Sequence, residues 1–253
     1  WHVLLGRHKI DDLNGDYPTY FAKKRAMETA IAALGTGSGI ENEEELDTQT
    51  PPQLVIQSVP KNAQGKPLHH MYNSDALWLT MWNLNILWGL AWPEMMDEFS
   101  ASMVEYFKHG GCLPRGPSGG GYTGIMRGCP ATSLITATWQ KGLLTKTKAE
   151  TAYQAMKASH PILIRDANVG EMVQGSFEYW ALAQMAEELS YDNDLHTFQK
   201  WINEWKKYYD PEKQLLSGSW IEANDWQGTF GISHDIPGLA ELMGGNDQLV
   251  AKL

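Results

Sequence analysis

Cysteine is nearly missing from this chain: 253 residues hold only Cys112 and Cys129. Two thiols make no disulfide framework and no zinc pattern, which excludes a stapled mini-domain and a structural zinc module. They could pair across a loop, and free thiols fit at least as well. Long apolar runs are missing too. No stretch approaches the roughly eighteen apolar residues that a membrane-spanning helix needs. The richest, Ala76 to Trp92, is broken by Asn83 and Asn85 and stopped by Pro93, so it reads as a buried helix. Positive charge is in deficit: 20 Lys and Arg against 30 Asp and Glu give a formal charge of −10. Nothing in that balance would neutralise phosphates, which excludes a nucleic-acid partner. No signal peptide is visible. The chain opens on Trp1 inside apparent domain interior and runs off at Leu253 inside a helical pattern, so a fragment or a processed chain is expected.

With 43% apolar and 20% charged residues the chain is globular, and long enough for one large domain or two small ones. Helical spacing dominates. It predicts a helix over Pro18–Leu34, with Phe21, Ala22, Met27, Ile31 and Leu34 on one face. Residues 36–67 are acidic and Pro-rich, a loop or insertion with one strand-like patch at Leu54–Val59. Asn73 or Ser74 can cap a helix through Trp92, and Pro93 suits the first turn of the next. That next helix spaces Met96, Phe99, Met103 and Phe107 by threes and fours and ends at Gly110–Gly111. A Gly- and Pro-rich loop, Leu113–Gly128, separates it from helices expected at Ala131–Lys141, Lys146–Ser159, Met172–Leu189 and Asp192–Tyr209. Helical hairpins joined by recurring long loops suggest an all-α toroid or barrel.

Chemistry concentrates near the C-terminus, in Ser219–Gly245. Glu222 stands among Trp220, Asn224 and Trp226, and His234–Asp235 follows. Indoles stack on the apolar faces of a pyranose, amides take its hydroxyls, and an acid must reach the glycosidic oxygen. A carboxyl packed against indole can also stay protonated near neutral pH. His234–Asp235 could orient a substrate hydroxyl, or Asp235 could simply cap the stretch from Pro237. Other clusters are weaker. His69–His70 point apart on most backbones, so a shared metal is disfavoured. Trp78, Trp82, Trp88 and Trp92 recur at helical spacing, mostly core, with Trp82, Asn83 and Asn85 open to function. Gly116–Gly120 matches a nucleophile elbow only formally, since a helix precedes it. Asp192-Asn193-Asp194 lacks the glycine and terminal Glu of a calcium loop. Phe177–Trp180 is a second aromatic–carboxylate group for which core packing is favoured.

Taken together these segments resemble glycoside hydrolase family 92, the calcium-dependent exo-α-mannosidases. Glu222-Ala-Asn-Asp-Trp226-Gln227, His234-Asp235-Ile-Pro-Gly238-Leu239 and Leu242–Gly245 resemble its E-G-N-A-W-Q, P-H-D-x-x-G-L and L-M-G-G run. Gly110–Arg115 is similar to its G-G-W-L-P-[KR] loop. Trp180–Ala186 resembles its D-W-x-x-A-Q-x-A helix, and Met71–Asn85 the helix around its W-x-T motif. Gly6-Arg7 with Asp12–Gly15 is similar to its D-V-D-G segment. The likeness runs from about Leu5 to the end, with Phe21–Pro67 unmatched. Where the family has W-D-T this chain reads Trp78-Leu79-Thr80, with Asp75 one turn away.

The resemblance implies an N-terminal β-sandwich followed by an (α/α)6 barrel, with residues 1–253 forming an incomplete part of one such catalytic domain. It implies hydrolysis of terminal α-linked mannosides with inversion, the two carboxyls standing about 6.5–9.5 Å apart around a water. Glu222 would be the acid; the base would lie on a later Asp-bearing glycine motif that does not occur in the sequence. Trp220, Asn224, Trp226, His234, Asp235, Arg115, Asp75 and Trp78 would be candidate sugar contacts. Calcium would bind sugar hydroxyls through ligands largely outside the sequence, and a periplasmic or extracellular location is implied. The rivals are another helical-toroid glycosidase and a non-catalytic carbohydrate-binding barrel.

Overall fold

The computed structural model describes residues 7–20, 54–74, 77, 80–118, 121–122, 126–164 and 168–253. They fall into two compact units, Trp1–Leu163 and Ile164–Leu253.

Strands β1 (Arg7–Lys9), β2 (Asp16–Tyr20), β3 (Leu54–Ser58) and β4 (Tyr72–Ser74) open the first unit as two antiparallel pairs, β1 with β4 and β2 with β3. The chain reverses before β2 because Asp12 Oδ1 accepts the backbone N–H groups of Asn14 at 2.7 Å and Asp16 at 2.9 Å, an Asp-based turn. The helix expected from Pro18 is therefore absent as far as Tyr20. Tyr17 and Thr19 are buried while Pro18 between them is not, and this period of two is a strand's. Residues 21–34 of that expected helix lie outside the described residues, as do 36–53 of the expected insertion.

The helix expected from Asn73 or Ser74 also starts later. The Met71 N–H is held by Asp11 Oδ1 at 2.8 Å and the Tyr72 N–H by Ser102 Oγ at 3.1 Å, which keeps this backbone extended in β4. After a 3₁₀ turn at Thr80–Trp82, α1 runs over Leu84–Ala91 and α2 over Pro93–Gly110. Pro93 starts α2, Lys108 and His109 lie in its last turn, and Gly111 at φ 78° closes it by donating to the Phe107 carbonyl. Met96, Phe99 and Met103 are fully buried at the expected spacing. Trp88 packs on Phe99 at 5.3 Å, whereas Trp82 and Trp92 are exposed.

In the Gly- and Pro-rich loop the two-residue strands β5 (Pro117–Ser118) and β6 (Gly121–Tyr122) pair antiparallel. Helices α3 (Ala131–Gln140) and α4 (Ala149–Leu163) follow. Buried polar links fix their packing. Ser100 and Thr138 hydroxyls meet at 2.9 Å between α2 and α3, and Thr132 meets His160 Nε2 at 2.8 Å between α3 and α4. Burial pushes His160 down to about 3, so its imidazole stays neutral. Both thiols are free and buried, and burial pushes Cys112 up to about 12, which makes it inert.

The second unit begins with α5 (Val169–Glu188), capped by Asn168 Oδ1 accepting the Glu171 N–H at 3.0 Å. It forms a helical hairpin with α6 (Asp192–Asn203), in which Tyr179 stacks on Trp201 at 5.4 Å and 10°. The helical path expected to reach Tyr209 tightens to 3₁₀ at Glu204–Tyr208. A hairpin of β7 (Tyr209–Asp210) and β8 (Leu215–Leu216) then leads to α7 (Asp225–Thr229), α8 (Ile236–Met243) and α9 (Asn246–Lys252). Trp205, Val169, Leu216, Ile232, Leu239 and Met243 form one core beneath them. No helix among the described residues is long and apolar enough to cross a membrane.

Candidate active site

Glu222 stands on the loop between β8 and α7. It is exposed and adopts the left-handed backbone conformation, φ 57°. That conformation costs an L-residue about 1–2 kcal/mol, so the surroundings must hold it. No described residue hydrogen-bonds to its carboxylate. The carboxyl expected to be packed against indole is thus open to solvent.

Both flanks of the loop are pinned. On the C-terminal side Asn224 makes a capping box with Gln227: Asn224 Oδ1 accepts the Gln227 N–H at 2.9 Å, and Gln227 Oε1 accepts the Asn224 N–H at 3.2 Å. On the N-terminal side the half-buried Trp220 rests on the core and donates its indole N–H to Asp225 Oδ1 at 2.8 Å. Trp226 is exposed, meets Phe230 edge-on at 5.4 Å and donates to the Lys252 carbonyl at 3.0 Å.

Asp225 was invisible as a site residue in the sequence. Its Oδ2 receives Lys213 Nζ at 3.1 Å and the Ser217 hydroxyl at 3.0 Å, and the Gly218 N–H reaches Oδ1 at 3.4 Å. The Trp220 indole N–H, with help from Lys213 and Ser217, draws this carboxyl down to about 2. These partners are up to twelve positions away, beyond any local pattern.

His234 occupies an aromatic cage. The rings of Phe177, Trp180 and Trp205 lie 6.3, 6.4 and 6.5 Å from it. Its Nε2–H donates to the Ile202 carbonyl at 3.2 Å, and burial pushes its pKa down. This leaves Nδ1 as a buried acceptor with no hydrogen-bond partner among the described residues. Asp235 caps α8 through Oδ1, which accepts the Gly238 N–H at 2.9 Å, and pairs with Lys206 Nζ at 2.9 Å through Oδ2. Glu178, on α5 between the cage rings in sequence, is fully buried and accepts from Gln174 at 2.7 Å.

The remaining candidates sit in the first unit. Arg115 donates to the carbonyls of Gly128 at 2.9 Å, Met126 at 3.0 Å and Leu163 at 2.5 Å. Its guanidinium thus holds the Gly-rich loop together at two left-handed residues, Met126 and Gly128. Asp75 and Trp78 lie outside the described residues. His70 Nδ1 meets Asp11 at 2.8 Å, while His69 faces Glu105 at 3.8 Å, so the adjacent imidazoles do point apart. Among the described residues no group of three or more His, Cys, Asp or Glu side chains is arranged to hold a metal ion.

The sequence matches the glycosyl hydrolase family 92 catalytic domain over residues 1–169 and 161–253. The chain belongs to that family. Its fold is similar to that of a family 92 inverting mannosidase from Bacteroides thetaiotaomicron, with TM-score 0.66 and 20% identity over 81% of this chain and 33% of that one. A family 92 α-mannosidase from the same organism gives 0.68 and 19% over 78% and 30%. The structure of that kind of enzyme in complex with mannoimidazole gives 0.57 and 21% over 69% and 24%. The chain thus spans about a third of the length of these solved structures or less. No protein of curated function matches it. The fold class is all-α, part of the (α/α)6 barrel of family 92 catalytic domains.

Proposed function

We propose that the chain carries the general-acid side of the active site of an inverting, calcium-assisted α-mannosidase. The observation that supports this most is the placement of Glu222. In a segment that resembles the family's E-G-N-A-W-Q run, it projects a carboxyl that no described residue hydrogen-bonds, from a strained turn whose two flanks are fastened by Trp220 and Asn224. A group held in place but not neutralised by a partner is available to a substrate.

In this reading Glu222, protonated, donates to the glycosidic oxygen of a terminal α-linked mannose as the C1–O bond breaks. A water attacks C1 from the opposite face and loses its proton to a carboxylate base. The mannose is released with inverted configuration and Glu222 is left as the carboxylate, to be reprotonated from solvent. By the family likeness the base would be an Asp on a glycine motif that this sequence does not contain. The exposed Trp226 offers an indole face for ring stacking, and the half-buried Trp220 and His234 are further candidate sugar contacts. Arg115 contributes through the loop it holds.

Calcium enters through the family likeness alone. The described residues do not converge on a site for it, so no step is assigned to it. Substrates would be oligosaccharides or N-glycans, and the location periplasmic or extracellular, with a β-sandwich and the rest of the barrel in the parent protein.

The test uses the full-length protein and a panel of aryl glycosides and α-mannobioses, with and without chelator. The reading expects chelator-sensitive release of mannose, first as the β-anomer by proton NMR. Chelator-insensitive glucosidase activity would assign a different helical-toroid glycosidase. Sugar binding without turnover would assign a binding barrel.

A further inference from the structure

The hydrogen bond between Trp220 and Asp225 closes the Glu222 loop into a ring. Between these two side chains lie only residues 221–224, and Glu222 is the left-handed one among them. Asp225 is itself anchored from three directions. Lys213 Nζ bridges it to Ser217, at 3.1 and 2.6 Å. The Ser217 hydroxyl donates to its Oδ2, and the Thr229 hydroxyl donates to its carbonyl at 2.6 Å. Thr229 Oγ1 in turn accepts the Leu216 N–H at 2.8 Å, tying α7 to β8. Lys252 Nζ donates to the Lys213 carbonyl at 2.9 Å, so α9 joins the same network.

We propose that Asp225 is a positioning residue, which immobilises the Glu222 loop by gripping the Trp220 indole N–H from a carboxylate fixed by Lys213 and Ser217. This rests on the reading of Glu222 as general acid and names a residue that acts through another, without itself touching the sugar. Hydrogen bonds to an ionised acceptor are about twice as strong as neutral ones, which suits a carboxylate to the task. Its low pKa keeps that acceptor charged across the physiological range. A simple first-turn acid of α7 would need only its charge. Asp225 also needs its geometry, because Oδ1 and Oδ2 serve different donors.

The experiment uses the full-length protein with Asp225→Ala, Asp225→Asn and Trp220→Phe. Trp220→Phe keeps a ring and removes only the indole N–H donor and part of the ring's area. Hydrogen–deuterium exchange of the Asn224 and Gln227 amides, which the capping box protects, should quicken about tenfold in Asp225→Ala and Trp220→Phe, with α8 unaffected. Asp225→Asn, which keeps an oxygen acceptor, should fall between them and the wild type. In steady-state kinetics Asp225→Ala should lower kcat about tenfold on an unactivated α-mannobiose with KM nearly unchanged, and much less on an activated aryl mannoside. Exchange that is unchanged in both Asp225→Ala and Trp220→Phe would overturn the proposal. So would faster exchange with undiminished kcat on the unactivated substrate. A wild-type protein inactive on every mannoside counts against the mannosidase reading, and the exchange result still decides whether Asp225 positions the loop.

Discussion

A side chain at position 228 and the indole of Trp220 claim the same space. A Cβ built on Gly228 would stand 2.2 Å from Trp220 Cζ3. The glycine therefore lets α7 lie directly under the indole that flanks Glu222, and its conservative replacement should not be tolerated. Gly228→Ala is expected to cost about 1–3 kcal/mol, as overpacking does. It should also alter tryptophan fluorescence in the native state. Urea unfolding measures both, and a stability within about 0.5 kcal/mol of wild type would contradict the close approach.

Arg115 is expected to matter to stability first. Three carbonyls on two separate segments accept from its guanidinium, a fork that a lysine ammonium cannot reproduce. Arg115→Lys should lower unfolding free energy by about 2–4 kcal/mol, judged from the usual worth of charged hydrogen bonds. An unchanged stability with a raised KM would instead place this side chain at the sugar.

Glu105 anchors the first unit. Burial alone would raise its pKa, yet hydrogen bonds from His109 at 3.2 Å and Lys108 at 2.7 Å, with the His69 imidazole facing it at 3.8 Å, hold it well below the usual carboxylate range. Glu105→Gln leaves those donors facing a neutral amide in a buried site. The expected loss is about 3 kcal/mol, as for other broken buried pairs. A denaturant midpoint equal to the wild type would contradict it.

Asp225 supplies a pH signature. Its pKa is lowered from 3.8 to about 2, so the carboxylate's contribution to stability is full above 3.8 and is lost as pH falls through about 2. The stability gap between wild type and Asp225→Asn should therefore be constant near neutrality and close between those two values. A gap that persists unchanged at pH 2 would show that the charge is not what the network uses.

Much of the fold was legible because it is local. The α2 start at Pro93, its end at Gly111 and the buried row Met96, Phe99 and Met103 follow from caps and spacing. The misses have non-local causes. Pro18 reads as the start of a helix, but pairing of Asp16–Tyr20 with Leu54–Ser58 overrides that spacing across some forty residues. Ser74 reads as a helix cap, but contacts from Asp11 and Ser102 keep its neighbours extended. At the site, Glu222, Asn224 and Trp220 stood out by residue type. Asp225 did not, because its meaning depends on Lys213 and Ser217 across the β7–β8 hairpin. Arg115 reads as a sugar contact by type, and only the geometry reveals the carbonyls it holds.

Glu222 is proposed to protonate the leaving oxygen. The most direct measurement is kcat for Glu222→Gln in the full-length protein on an unactivated α-mannobiose, alongside an aryl mannoside whose leaving group needs no proton. A fall of about a thousandfold or more is expected on the former, a much smaller fall on the latter, and little change in substrate affinity. Near-normal turnover of the mannobiose by Glu222→Gln would contradict it.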